Sequence, residues 1–206
     1  MELQLSRPEA VAAGARSRLY ALLARSFRYP EDHSWDDLPR TLQEVASSLP
    51  YPLDVPPDLE APRADDYVHA FEVGGPYGPP CFIYEGEYGG GRLKVMEDVL
   101  RFYDHFGLQP TQEEGRRDRP DHLATELEFM HVLTFQEAAA LERGEDPTPY
   151  RQAQKEFLRH HLVDFVAAVA SRLEAMGVPF YSQMARLAHL LCRQDARYLE
   201  PSWEVK

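Results

Sequence analysis

The sequence predicts an all-α fold, a bundle of about six to eight helices interrupted by one long loop. Three observations carry this. Apolar residues recur at helical spacing along most of the chain, and the alternation of a half-buried strand is absent. Glycine is concentrated rather than spread, with seven of the twelve glycines inside residues 74–91. Three of the apolar stretches stop at a lone glycine, Gly107, Gly144 or Gly177, where a left-handed residue closes a helix.

Taken in order, a first helix runs from about Pro8 to Phe27, with Val11, Leu19, Leu22, Leu23 and Phe27 as its stripe and Pro8 in the first turn. A weaker one spans about Trp35 to Leu49. Pro50, Pro52, Pro56, Pro57 and Pro62 then mark a stiff connector that cannot be helical. A short helix over about Ala64 to Val73 buries Tyr67, Val68 and Phe71. Residues 74–91 follow, where glycines alternate with Pro76, Pro79 and Pro80 and with Tyr77, Phe82, Tyr84 and Tyr88. A linker would be polar and featureless, so this aromatic loop is expected to be structured and functional. Four more helices complete the chain, over about Leu93–Phe106, Asp121–Arg143 and Pro149–Met176, and from Pro179 onward. The third of these carries Phe157, Leu158, Leu162, Phe165, Val166, Val169 and Leu173 at i, i+3, i+4 spacing. Residues 1–206 read as one domain.

Composition excludes several function classes. The chain has 22 Lys and Arg against 34 Asp and Glu, a formal net charge of −12, which opposes the phosphate neutralisation that nucleic-acid binding requires. Residues 31–66 hold ten of the acids against two bases. No run of about 18 apolar residues exists to span a membrane, and Met1–Leu5 lacks a basic n-region and apolar h-region, so a cytoplasmic protein is expected. Cys81 and Cys192 are too few for a disulfide framework or a thiolate zinc site.

Candidate chemistry is sparse. Gly86-Glu87-Tyr88-Gly89-Gly90-Gly91-Arg92-Leu93 opens onto a helix but has Arg-Leu where a P-loop needs Lys-Ser/Thr, and Glu85 and Glu87 beside it repel phosphate. Glu128-Phe129-Met130-His131 is a Glu-x-x-His step. With no second such step for a di-iron site, it leaves a metal-dependent enzyme using Glu128, His131 and His161 as one rival reading, beside a general helical adaptor. There is no Gly-x-Ser-x-Gly elbow, and neither cysteine has an adjacent His.

The stretch Arg116-Arg117-Asp118-Arg119-Pro120-Asp121-His122-Leu123-Ala124-Thr125-Glu126-Leu127-Glu128-Phe129-Met130 is more distinctive. Its local reading is a helix start capped by Asp118 or Asp121, with Pro120 in the first turn. From Pro120 to Met130 it also resembles the TorD/DmsD/NarJ family of molybdoenzyme maturation chaperones, whose members open a helix with Asp-His followed by Leu-x-x-Glu-Leu-x-Phe-Met. Three further features fall in the family's order: Tyr67-Val68-His69-Ala70-Phe71 before Gly75-Pro76-Tyr77-Gly78-Pro79-Pro80; Tyr84-Glu85-Gly86-Glu87-Tyr88; and His161-Leu162-Val163-Asp164-Phe165. The resemblance covers essentially the whole chain. It departs at Phe165, often Trp in the family, at Ala167, often Pro, and in the run Gly89-Gly90-Gly91. The extended loop is most similar to chaperones serving dimethyl-sulfide dehydrogenase, ethylbenzene dehydrogenase and chlorate or nitrate reductase type enzymes.

The resemblance implies a non-catalytic cytoplasmic chaperone with no cofactor of its own. Its partner would be the precursor of a molybdopterin-containing catalytic subunit, bound in part through a twin-arginine signal peptide, with the chaperone a monomer or an exchange dimer. A cationic and then apolar signal calls for carboxylates beside an aromatic groove. The residues expected to serve are Tyr67, Phe71, Tyr77, Pro80, Tyr84, Glu85, Tyr88, Asp121, His122, Glu126, Phe129 and His161. Loop 74–91 and the helix start at Asp121 are expected to converge on one groove, with Asp121 and His122 at its polar centre.

Overall fold

Helix α1 (Pro8–Ser26) begins on a proline whose fixed φ suits a first turn. In the computed structural model, which describes residues 4–30, 35–109 and 119–200, α1 lies along α5 (Leu123–Arg143) in the most extensive helix contact of the bundle. Small buried residues permit the approach: Ala10, Ala13 and Ala24 on α1, and Ala124, Ala138, Ala139 and Ala140 on α5. Helix α2 (Leu38–Ala46) buries Leu38, Leu42 and Val45 and packs against α1. It is shorter than its apolar pattern suggested, because the chain first makes a turn in which the Leu38 N–H donates to the Trp35 carbonyl at 3.0 Å.

Two helices contain a wider, π-type turn. Helix α3 (Ala64–Tyr67) continues into one at Val68–Glu72, and α6 (Thr148–Phe157) passes through another at Leu158–Leu162 into α7 (Val163–Glu174). Such turns skip a residue in the hydrogen-bond ladder and are frequent at functional sites. Near the end of the first, the Ala70 carbonyl accepts from the Cys81 N–H at 3.0 Å, anchoring the glycine-rich loop. The second carries His161. Helix α4 (Arg92–His105) opens on Gly91, whose φ of +84° a side chain would oppose, and α8 (Pro179–Tyr198) closes the bundle against α7.

Loop 74–91 packs along α5 and α7. Cys81 and Ile83 are buried, the Ile83 carbonyl accepts from the Leu123 N–H at 2.9 Å, and the Glu85 N–H donates to the Asp121 carbonyl at 2.9 Å. The Tyr88 hydroxyl donates to the Phe82 carbonyl at 2.7 Å, and the Arg172 guanidinium lies 4.8 Å from the centre of the Tyr88 ring. Burial pushes the Cys81 thiol up, and the same cause pushes Cys192 well above its ordinary value, so neither is a ready thiolate.

The polar heart of the bundle is Arg16. Its side chain is fully buried on α1 and spans three other helices: Nε to Asp195 Oδ1 at 2.7 Å, Nη2 to Asp195 Oδ2 at 3.0 Å, Nη1 to Glu137 Oε2 at 2.8 Å and Nη2 to Gln154 Oε1 at 2.5 Å. Gln154 Nε2 and Arg151 Nε donate in turn to Glu137, and the Tyr20 and Tyr51 hydroxyls donate to Asp195. Burial opposes the charge on Arg16, but Asp195 and Glu137 more than offset it and hold the guanidinium protonated.

Candidate functional site

The loop and the start of α5 are clasped together. Helix α5 begins at Leu123, two residues later than its pattern suggested. Its cap is neither Pro120's neighbour Asp121 nor Asp118, which lies outside the described residues. Instead the His122 side chain caps it, Nδ1 accepting from the Ala124 N–H at 3.1 Å. An imidazole can do this because its unprotonated nitrogen is an acceptor. Pro120 precedes the helix and gives its carbonyl to the Tyr103 hydroxyl at 2.9 Å. Asp121 is thereby released for other partners.

Those partners form a guanidinium seat. Arg119 meets Asp121 side-on, Nε to Oδ1 at 2.9 Å and Nη2 to Oδ2 at 2.7 Å. Its Nη1 donates to Glu87 Oε1 at 2.9 Å, and its Cζ lies 4.5 Å from the centre of the Tyr84 ring. Arg92 reaches the same Glu87 oxygen at 2.5 Å. Two carboxylates and an aromatic face thus hold a pair of guanidinium groups, a geometry that suits the planar fork of arginine and not a lysine. These arginines hold the Glu87 carboxyl below the usual carboxylate range, the Arg119 hydrogen bond chief among the causes. Gly86 completes the seat. Its N–H donates to Asp121 Oδ2 at 3.0 Å, and a Cβ there would stand 2.9 Å from the Arg92 Cα.

Behind the seat lies a second acid pair. Glu85 faces His161, with Oε2 2.9 Å from Nδ1, and His161 stacks on Phe157 with ring centres 4.9 Å apart. Glu126 is fully buried beside Glu85, with no donor among the described residues for its carboxylate oxygens. Burial without a donor favours the neutral acid at Glu126. Burial first, then the charge on Glu85, its hydrogen bond and Asp121, hold the Glu126 carboxyl well above the usual range. The sign for stability follows. The folded state keeps this proton after the unfolded chain has lost it, so stability falls as pH rises above the ordinary carboxylate value of 4.5. Glu126→Gln is therefore expected to be neutral near pH 4 and stabilising at pH 7–8. It should remove a slope of up to about 1.4 kcal/mol per pH unit, read from thermal melts across that range.

Of the residues singled out from the sequence, Tyr84, Glu85, Asp121, His122, Glu126 and His161 come together here, with the Tyr84 and His122 rings 5.2 Å apart. Phe129 joins them through Phe157, at 4.8 Å between ring centres. Tyr88 packs on Phe165 instead. Tyr67 and Phe71 are buried against Tyr181, Pro80 is exposed, and Tyr77 is 94% exposed at the loop tip. Glu128, His131 and His161 do not converge: Glu128 pairs with Arg28 at 2.8 Å, and His131 Nδ1 lies 2.8 Å from the Ser17 hydroxyl. Among the described residues no group of three His, Cys, Asp or Glu side chains is placed to hold a metal ion, and no helix is long and apolar enough to cross a membrane. The sequence reading missed Arg119, Gly86 and the Arg16 network. Arg119 stood in the quoted stretch, but only the fold shows which carboxylates it meets.

The described residues thus form a helical scaffold that presents paired carboxylates beside aromatic faces. Comparison with known proteins gives the family. Residues 35–171 match the model of the family described as nitrate reductase delta subunit, and the chain belongs to that family. It is 36% identical over 177 residues to the selenate reductase assembly chaperone protein of Thauera selenatis, covering 85% of this chain and 82% of that one. It is 36% identical over 193 residues to the chlorate reductase assembly chaperone protein of Ideonella dechloratans, covering 93% and 91%. It is 37% identical over 165 residues to the dimethyl sulfide dehydrogenase assembly chaperone protein of Rhodovulum sulfidophilum, covering 77% and 63%. These relatives are named as assembly chaperones and not as catalysts.

Proposed function

We propose that this chain is a cytoplasmic assembly chaperone for the catalytic subunit of a molybdopterin oxidoreductase, holding the precursor until its cofactor is inserted. Near-full-length similarity to the assembly chaperone proteins named for selenate reductase and chlorate reductase is the observation that carries this. The chemistry of the site supports a finer reading, in which the precursor is recognised through its twin-arginine signal peptide. Asp121 and Glu87 already hold guanidinium groups over an aromatic face. An arginine of the signal would take the place of Arg119, which belongs to the chain itself and is partly exposed.

Competition of this kind has a distinctive signature. Arg119→Ala is expected to tighten a twin-arginine peptide about tenfold, because the internal occupant is gone. Asp121→Asn should weaken it about tenfold or more, the worth of a charge-assisted bidentate pair. Fluorescence anisotropy with a labelled peptide measures both. If Arg119→Ala weakens binding as much as Asp121→Asn does, the displacement reading is wrong.

A further inference from the structure

Three carboxyls crowd the underside of the clasp, and the fold answers them unequally. Asp121 is fully buried but receives Arg119 and the Gly86 N–H. The Glu85 side chain is 13% exposed and faces His161. A carboxylate only accepts, so His161 Nδ1 is the donor to Oε2 at 2.9 Å. Glu126 is as buried as Asp121, yet neither of its oxygens meets a donor among the described residues. An ionised carboxylate cannot rest there uncompensated. The polar groups around it are engaged elsewhere. On α4 the Tyr103 hydroxyl donates to the Pro120 carbonyl at 2.9 Å, and on α8 burial keeps the Cys192 thiol neutral. His122 accepts at the cap of α5, Glu128 pairs with Arg28 at 2.8 Å, and Arg119 is taken up by Asp121 and Glu87. The charge that bears most on Glu126 is that of another acid, Glu85.

We propose that Glu85 and Glu126 form a proton-operated latch on the turn Glu85–Glu87, shut while Glu126 holds a proton and released when that proton leaves. Geometry decides which acid moves. Glu126 is enclosed on the body of α5, with Tyr103 of α4 and Cys192 of α8 near it. Glu85 stands on a single 3-10 turn nearer the surface. The turn is held by few bonds: the Glu85 N–H to the Asp121 carbonyl at 2.9 Å, the Gly86 N–H to Asp121 Oδ2 at 3.0 Å, the His161 contact and the arginines on Glu87. On either side the chain is pinned, by buried Ile83 before it and by Tyr88 on Phe165 after it. Two facing carboxylates therefore separate by lifting the turn alone. Lifting carries Glu87 away from Arg119 and reduces the guanidinium seat to Asp121. The sign is fixed: the seated turn keeps a proton on Glu126 that the lifted one gives to water, so rising pH favours release. Every group in the latch belongs to this chain, so the latch stands apart from the identity of any partner.

Amide hydrogen exchange of the full chain, followed by NMR from about pH 6 to pH 9 and corrected for the intrinsic pH dependence of exchange, tests this. The reporters are the amides of residues 85 and 86, which bond to Asp121. The controls are the Cys81 amide, bonded to the Ala70 carbonyl, and the Leu123 amide, bonded to the Ile83 carbonyl, on the parts that stay fixed. In the unaltered chain the reporters are expected to lose protection by up to about tenfold per pH unit, the slope of one proton, while the controls hold. Glu126→Gln has no proton to lose and should keep the reporters protected throughout. Glu85→Gln cannot repel an ionised Glu126, and should keep them protected too. That second variant decides the matter if Glu126→Gln fails to fold. Equal loss in the unaltered chain and in the folded variants would overturn the latch, as would reporters whose protection never changes with pH. Simultaneous loss at Cys81 and Leu123 would also overturn it, because the bundle as a whole would then be opening.

Discussion

Arg16→Met is expected to cost about 3–5 kcal/mol of folding stability, enough to leave much of the protein unfolded at growth temperature. The loss is not that of one ion pair. Arg16 is the common donor to Asp195 and Glu137, and both acceptors are almost wholly out of water. Without the guanidinium their charges remain in a low-dielectric interior with only Arg151, Gln154, Tyr20 and Tyr51 to answer them. Chemical denaturation of Arg16→Met and of Arg16→Met/Asp195→Asn checks the account. The double variant should recover part of the loss, because it removes one stranded charge. A single variant within about 1 kcal/mol of the original chain would mean that water already reaches this network.

Phe157→Ala is expected to cost a similar amount, about 3–5 kcal/mol, and to disturb recognition as well as stability. Phe157 is fully buried, and its ring meets those of Phe129, Phe102 and His161 within 5.2 Å. It sits where the core and the acid cluster join. Truncation leaves a cavity under His161 and releases the ring that holds Glu85. The conservative Phe157→Leu should recover most of the stability while the His161 stacking stays lost. Comparing melting temperature and peptide affinity in the two variants separates packing from positioning.

These two residues also show which parts of the molecule could be read from the sequence. Phe157 lay on an apolar stripe at helical spacing, and the stripes located the helices to within a few residues because burial imposes the period directly. Arg16 lies between Ala15 and Ser17 on the first helix, and nothing local marks it as buried. Its meaning depends on Glu137, Gln154 and Asp195, distant in sequence and on three other helices. The candidate site divides in the same way. Asp121, His122, Glu85 and His161 were legible because the family motif marks them. The π turn that carries His161 was not, since a single extra residue in a helical turn leaves the apolar pattern almost unchanged. Nor was the role of His122 as cap, which residue preference gives to Asp118 or Asp121.

The proposed role is to hold a molybdoenzyme precursor through a cationic–apolar segment. The most direct test is size-exclusion chromatography of the purified chain mixed with cofactor-free precursor of a molybdopterin catalytic subunit, with and without its signal peptide. The account predicts a stoichiometric complex with the intact precursor, weakened by signal removal and by Asp121→Asn. Separate elution of chain and intact precursor would contradict it.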